Sequence, residues 1–102
     1  MFGLSNEVIR QIKEVFSRFP QIEKAIIYGS RAMENYKNGS DIDLTLVGKE
    51  INLDTFYKIQ IELDNLLIPY KIDLSIFHQI ENTELIQHIH RVGKIFYEKD
   101  QK

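Results

Sequence analysis

The order of apolar and polar residues along the chain predicts alternating helices and strands. Ser5 is placed to cap a first helix, with Leu4 and Ile9 able to close a hydrophobic staple across its start. Apolar residues then recur at Val8, Ile9, Ile12, Val15, Phe16 and Phe19, one helical stripe that Pro20 stops. Lys24 to Tyr28 is mostly apolar and too short for a helix, which predicts a buried strand. Gly29-Ser30 turns the chain into a short helix through Arg31, Ala32 and Met33, followed by a polar loop from Asn35 to Gly39. From Asp41 to Val47 the pattern alternates again, with Ile42, Leu44 and Leu46 on a core face and Asp41, Asp43 and Thr45 on the other.

Asn52 is placed to cap the next helix, whose inward stripe is Phe56, Ile59, Leu63, Leu66 and Leu67 and whose end is set by Pro69. Ile61 falls off that stripe and points to a second contact surface. Tyr70 to Phe77 alternates cleanly, placing Ile72, Leu74 and Ile76 on one face and Lys71, Asp73 and Ser75 on the other. A last helix follows Asn82, with Leu85, Ile86, Ile89 and Val92 inward and Gly93 at its end. Ile95 to Tyr97 adds a short edge strand, and the charged tail from Glu98 to Lys102 is expected to fray.

Chemistry concentrates where the first strand meets the second. Asp41 and Asp43 share a strand face, and two carboxylates there repel by about 4 kcal/mol at ~4 Å and an effective dielectric of ~20. A divalent cation with hard oxygen ligands relieves that repulsion. Upstream, Gly29 lets backbone approach a ligand closely, and Ser30 is able to cap a helix whose free N–H groups face an anion such as phosphate. If the Asp73 strand lies beside the second strand, three carboxylates meet above Gly29-Ser30, as two-metal phosphoryl-type transfer requires. Arg31 either forks onto a triphosphate or lies exposed. The bland alternatives are a strand-opening acid pair, a plain strand-to-helix turn at Gly29-Ser30, and a surface Asp73. His88 and His90, two apart on a helix, do not share a face and make a poor metal pair. Tyr36 is the tyrosine in the active loop that could reach a base or a partner.

The stretch Gly29-Ser30-Arg31-Ala32 through Ser40-Asp41-Ile42-Asp43 resembles the Gly-Ser-x-Ala…Ser-Asp-x-Asp motif of the DNA polymerase beta-like nucleotidyltransferase superfamily, and within it the minimal nucleotidyltransferase (MNT) group. One departure is Glu34, which stands where family members commonly have glycine. The resemblance implies an α/β (α+β) nucleotidyltransferase palm, a small mixed sheet of three to four strands flanked by helices, in one domain over residues 1–102. It implies that Asp41, Asp43 and Asp73 bind two Mg²⁺ ions, that Asp73 also orients or deprotonates the acceptor hydroxyl, and that Gly29, Ser30 and Arg31 hold the nucleotide. The activity implied is transfer of AMP from ATP to a hydroxyl. The acceptor implied is a tyrosine of a HEPN toxin that this chain neutralises as its antitoxin, in a homo- or hetero-oligomer. The alternative is a palm that binds nucleotide and HEPN partner without turnover. Transfer to a small molecule such as an aminoglycoside is disfavoured by the lack of room for an acceptor-binding domain.

Composition narrows the setting. Charged residues make up 27% of the chain and the formal net charge is −2, so no general basic surface points to direct nucleic-acid binding. There is no cysteine, which excludes disulfides and thiolate metal sites. No apolar run is long enough for a membrane span, and no signal pattern opens the chain, so a cytoplasmic location is expected.

Overall fold

Ser5, Asn52 and Asn82 each accept a hydrogen bond from the backbone N–H three residues ahead, at 3.2, 2.8 and 3.1 Å, and each opens a helix. The computed structural model describes residues 1–100. In chain order the elements are α1 (Asn6–Ser17), β1 (Lys24–Tyr28), α2 (Gly29–Met33), β2 (Ile42–Val47), α3 (Leu53–Asp64), β3 (Ile72–Ile76), a 3₁₀ turn (Phe77–Gln79), α4 (Thr83–Val92) and β4 (Lys94–Glu98).

The strands form one mixed sheet in the order β3-β2-β1-β4. β1 pairs antiparallel with both β2 and β4, whereas β2 and β3 run parallel, joined through α3. A parallel pair needs such a crossover, because its two strands begin at the same end. Ala25, Ile27, Ile42, Leu44, Leu46, Leu74, Ile76 and Phe96 cover one sheet face, and Val8, Ile12, Val15, Phe16, Ile59 and Leu63 of α1 and α3 pack on it. Most of these side chains are fully enclosed, and each valine, leucine, isoleucine or phenylalanine among them contributes about 1.5–3 kcal/mol of burial. Arg18 reaches from the end of α1 to Glu62 of α3 at 2.7 Å, an exposed ion pair worth at most about 1 kcal/mol.

The far end of α3 departs from the expected pattern. The helix stops at Asp64, five residues before Pro69, and Leu67 is 98% exposed rather than part of the inward stripe. From Leu66 the apolar residues that reach the core are Leu66, Ile68, Tyr70 and Ile72, a period of two. A helix cannot turn Leu66 and Ile68 to the same side, whereas extended chain does so at once. Burial of alternate residues therefore ends the helix early and leaves Leu67 outside.

Two smaller differences occur at the C-terminal end. Gly93 closes α4 with φ −63°, so no left-handed turn explains the glycine. A β carbon there would collide with the Ile89 carbonyl and press on Ile26. Glu98 belongs to β4, and Lys99 is held by its backbone N–H on the Glu23 carbonyl (2.9 Å) and its Nζ on the Pro20 carbonyl (3.0 Å). The expected fraying is thus absent at these two residues; Gln101 and Lys102 lie outside the described residues. Among the described residues no helix is long and apolar enough to cross a membrane.

Candidate functional site

The second sheet face carries the polar residues in rows across the strands. Tyr28 of β1, Asp43 of β2 and Asp73 of β3 stand opposite one another in register, Tyr28 with Asp43 and Asp43 with Asp73. Partners on adjacent strands are separated by about 4.8 Å, so the two carboxylates share one small volume. The next row is Ile26, Thr45 and Ser75, in which Ser75 Oγ donates to Thr45 Oγ1 at 2.9 Å. Thr45 has the orientation its spacing predicts, yet it is fully buried and offers nothing to a ligand. The Asp43 row carries the carboxylates, half-buried at Asp43 and exposed at Asp73.

Asp41 lies one residue before β2 and is exposed. It is nevertheless fixed on both sides, since the Ser40 carbonyl accepts from Arg31 and the Ile42 N–H donates to the Lys71 carbonyl at 2.9 Å. Among the described residues no three acidic, histidine or cysteine side chains are already gathered as a metal site. Asp43 and Asp73 form an in-register pair, and Asp41, one residue before β2, stands at the same end and acts on Asp43 through its charge.

Electrostatics single out Asp43. Burial raises its pKa above the ordinary carboxylate value, and the charges of Asp73 and then Asp41 raise it further, while His88 and Arg31 pull it down. Burial also pushes up the Tyr28 phenol, with Asp43 and Asp73 adding to the effect. Hard oxygen donors whose mutual repulsion a cation would relieve fit a divalent metal such as Mg²⁺. Asp41, Asp43 and Asp73 are the residues that would hold it.

Gly29 closes the site from below. It has φ +72°, a conformation glycine adopts freely, and a β carbon there would collide with Oδ2 of Asp43. Two separate constraints, one torsional and one steric, thus require glycine at this point. Its N–H donates to Nε2 of His88 at 3.2 Å, and the same imidazole packs edge-on against Tyr28 with ring centroids 6.1 Å apart. Sequence reasoning missed His88. His88 and His90 meet different neighbours, Gly29 and Phe77, and nothing local signals that α4 returns across the sheet to the Gly29 turn. Lys94 was missed for the same reason: its Nζ donates to the Ala32 carbonyl at 3.0 Å, at the end of α2. Ser30 opens α2 beside Gly29 and is half-buried.

Arg31 takes neither of the two positions open to it in the sequence. It is only 2% exposed, which excludes a surface role. Its Nε and Nη2 both donate to the Ser40 carbonyl, at 3.1 and 2.8 Å, and Nη1 donates to the Phe2 carbonyl at 3.0 Å. Tyr36 and Tyr70 both stack on the guanidinium, with ring centroids 5.1 and 4.8 Å from Cζ. The fork is engaged inside the protein, so Arg31 leaves the set of groups offered to a nucleotide. Tyr36, the tyrosine within reach of a base or a partner by its place in the loop, stacks on this cation and lies against Gly3 while remaining 37% exposed.

Glu34 keeps the backbone that glycine would be chosen for. It caps α2 in the left-handed region, φ 60° and ψ 26°, and its N–H bonds back to Arg31 and Ser30.

Comparison with known proteins bears on the whole of this arrangement. The sequence profile described as Polymerase beta, Nucleotidyltransferase matches residues 10–102. No curated protein matches the chain by sequence. Among solved structures, a toxin-antitoxin complex with AMP-PNP is similar with a TM-score of 0.70 at 19% identity, over 96% of this chain and 77% of that one. A tri-AMPylated Shewanella oneidensis HEPN toxin in complex with its MNT antitoxin is similar with a TM-score of 0.66 at 16% identity, over 94% and 74% of the two chains. At these identities the likeness is one of fold.

Proposed function

From the premise that the chain belongs to the polymerase beta nucleotidyltransferase family, we propose that it transfers AMP from ATP to a tyrosine hydroxyl of a HEPN toxin and so acts as that toxin's antitoxin. The observation that carries this reading is the register of Asp43 with Asp73 on parallel strands, beside Asp41 and above the Gly29 turn. Two solved relatives in fold, one a complex with AMP-PNP and one holding an AMPylated HEPN toxin, support the choice of nucleotide and of partner.

The division of labour follows from position. Asp41 and Asp43 bind metal from the entrance of β2. Asp73, the more exposed member of the in-register pair, faces the incoming hydroxyl and is the group that orients it or accepts its proton. Gly29 and Ser30 line the triphosphate side, where the absence of a side chain at Gly29 keeps room beside Asp43. Bound Mg²⁺ would neutralise phosphate charge and polarise the reacting oxygens. The protein contributes positioning and a fixed field rather than a covalent intermediate.

Glu34 stands where family members commonly have glycine, and its left-handed backbone is compatible with turnover. Incubation of this chain with the HEPN partner, ATP and Mg²⁺ tests the proposal by intact mass of the partner. The expected result is a gain of one or more AMP units that the Asp41→Asn/Asp43→Asn variant does not produce. An unmodified partner that is still neutralised would replace this reading with binding alone.

A further inference from the structure

A buried arginine without an acidic partner is costly. Removing a cation from water carries a penalty of several kcal/mol, and two stacked aromatic rings return only part of it. Among the described residues no carboxylate forms an ion pair with Arg31, and a methionine would fill much the same space without the penalty. What a methionine would not supply is the positive charge that acts on Asp43, or the fork on one carbonyl, that of Ser40, which immediately precedes Asp41. Ser40 is further tied to Lys37, whose N–H donates to the Ser40 Oγ at 2.9 Å and whose carbonyl accepts from the Ser40 N–H at 3.0 Å. The chain is thus held immediately before Asp41 by Arg31 and immediately after it by the Ile42–Lys71 backbone bond. Asp41 has no ladder of its own, and these two anchors do the work that a ladder does for Asp43.

We infer that Arg31 is a positioning residue for the metal site: clamped between Tyr36 and Tyr70, it fixes the Ser40 carbonyl and thereby sets the backbone from which the Asp41 and Asp43 carboxylates reach a divalent cation. The inference rests on the metal-dependent reading given above. Groups that orient metal ligands typically alter affinity by about 10–100-fold when replaced. Arg31→Lys keeps the positive charge but loses the flat fork and both stacked faces. It therefore separates geometry from charge.

The test uses the full chain with Mn²⁺ and AMP-PNP as probes, with affinity measured by calorimetry and folding by thermal melting. Arg31→Lys is expected to melt cooperatively and to bind Mn²⁺ at least about tenfold more weakly. In the transfer assay the metal concentration giving half-maximal rate rises by a similar factor. The rate at saturating metal approaches that of the parent, a rescue that general damage to the fold would not show. If Arg31→Lys does not fold, Tyr36→Leu removes one stacked face from the rim of the clamp and is expected to weaken Mn²⁺ binding several-fold. Parent-like Mn²⁺ affinity in a folded Arg31→Lys, or in Tyr36→Leu where the lysine variant is unfolded, overturns the inference while leaving the proposed function standing. A parent chain that binds no Mn²⁺, matching Asp41→Asn/Asp43→Asn, overturns both.

Discussion

Gly29 and Asp43 approach so closely that the glycine's missing β carbon is the space the carboxylate occupies. The turn that could receive a phosphate and the acid that could hold a metal are therefore one packed unit, and neither can be altered alone.

Gly29→Ala tests that unit. Alanine at φ +72° costs about 1–2 kcal/mol of backbone strain, and its methyl group would also push Asp43 out of register with Asp73. The expected outcome is a fall in melting temperature together with a loss of transfer of at least about a hundredfold. A destabilised variant that retained full transfer would show that Asp43 need not stand where the turn holds it.

Asp73→Asn removes the proposed proton acceptor on an exposed side chain without changing its size. Stability should move by less than about 0.5 kcal/mol, as for surface substitutions, while the transfer rate drops by roughly 10²–10⁴. Single-turnover rates at saturating ATP and Mg²⁺ provide the measurement; a rate within threefold of the parent would remove Asp73 from the chemistry.

The raised pKa of Asp43 makes the metal-free fold sensitive to pH. The native state holds this proton to higher pH than the unfolded chain, whose carboxyl titrates near the ordinary value of 3.8, so Asp43 makes stability fall as pH rises from that value through the native pKa. Asp43→Asn is expected to stabilise the metal-free protein at neutral pH by about 1 kcal/mol, the scale of single stabilising substitutions, with the gain vanishing at low pH. Denaturant melts with a chelator present check the sign. A loss of stability at neutral pH would show that its contacts outweigh its repulsion.

Glu34 stands in left-handed backbone where glycine carries no steric penalty. Glu34→Gly should stabilise the chain by roughly 0.5–1 kcal/mol, the strain relieved less the added flexibility of the unfolded chain. Transfer should stay unchanged, because the turn already has the required shape. Altered transfer with unaltered stability would mean that the side chain itself acts at the site.

Much of this was legible because it depends on local rules. Period-two alternation placed β2 and β3, short apolar runs placed β1 and β4, cap residues placed the starts of α1, α3 and α4, and the two-residue spacing put Asp43 on the outward face. Where local rules competed with packing, packing prevailed: Pro69 marked a helix end that burial of Leu66 and Ile68 brought forward. Arg31 read as surface or ligand because arginine is seldom enclosed, and only the folded chain brings Phe2, Ser40, Tyr36 and Tyr70 around it.

By itself the sequence determined the order of helices and strands and the core faces of β2 and β3, since spacing and side-chain type are properties of neighbours along the chain. The tertiary structure decided that Asp73 stands beside Asp43, that Thr45 is sealed, that His88 holds the Gly29 amide and that Arg31 works from inside. Each of those depends on strand order and on a helix folding back across the sheet, contacts between residues far apart in sequence that no local pattern encodes.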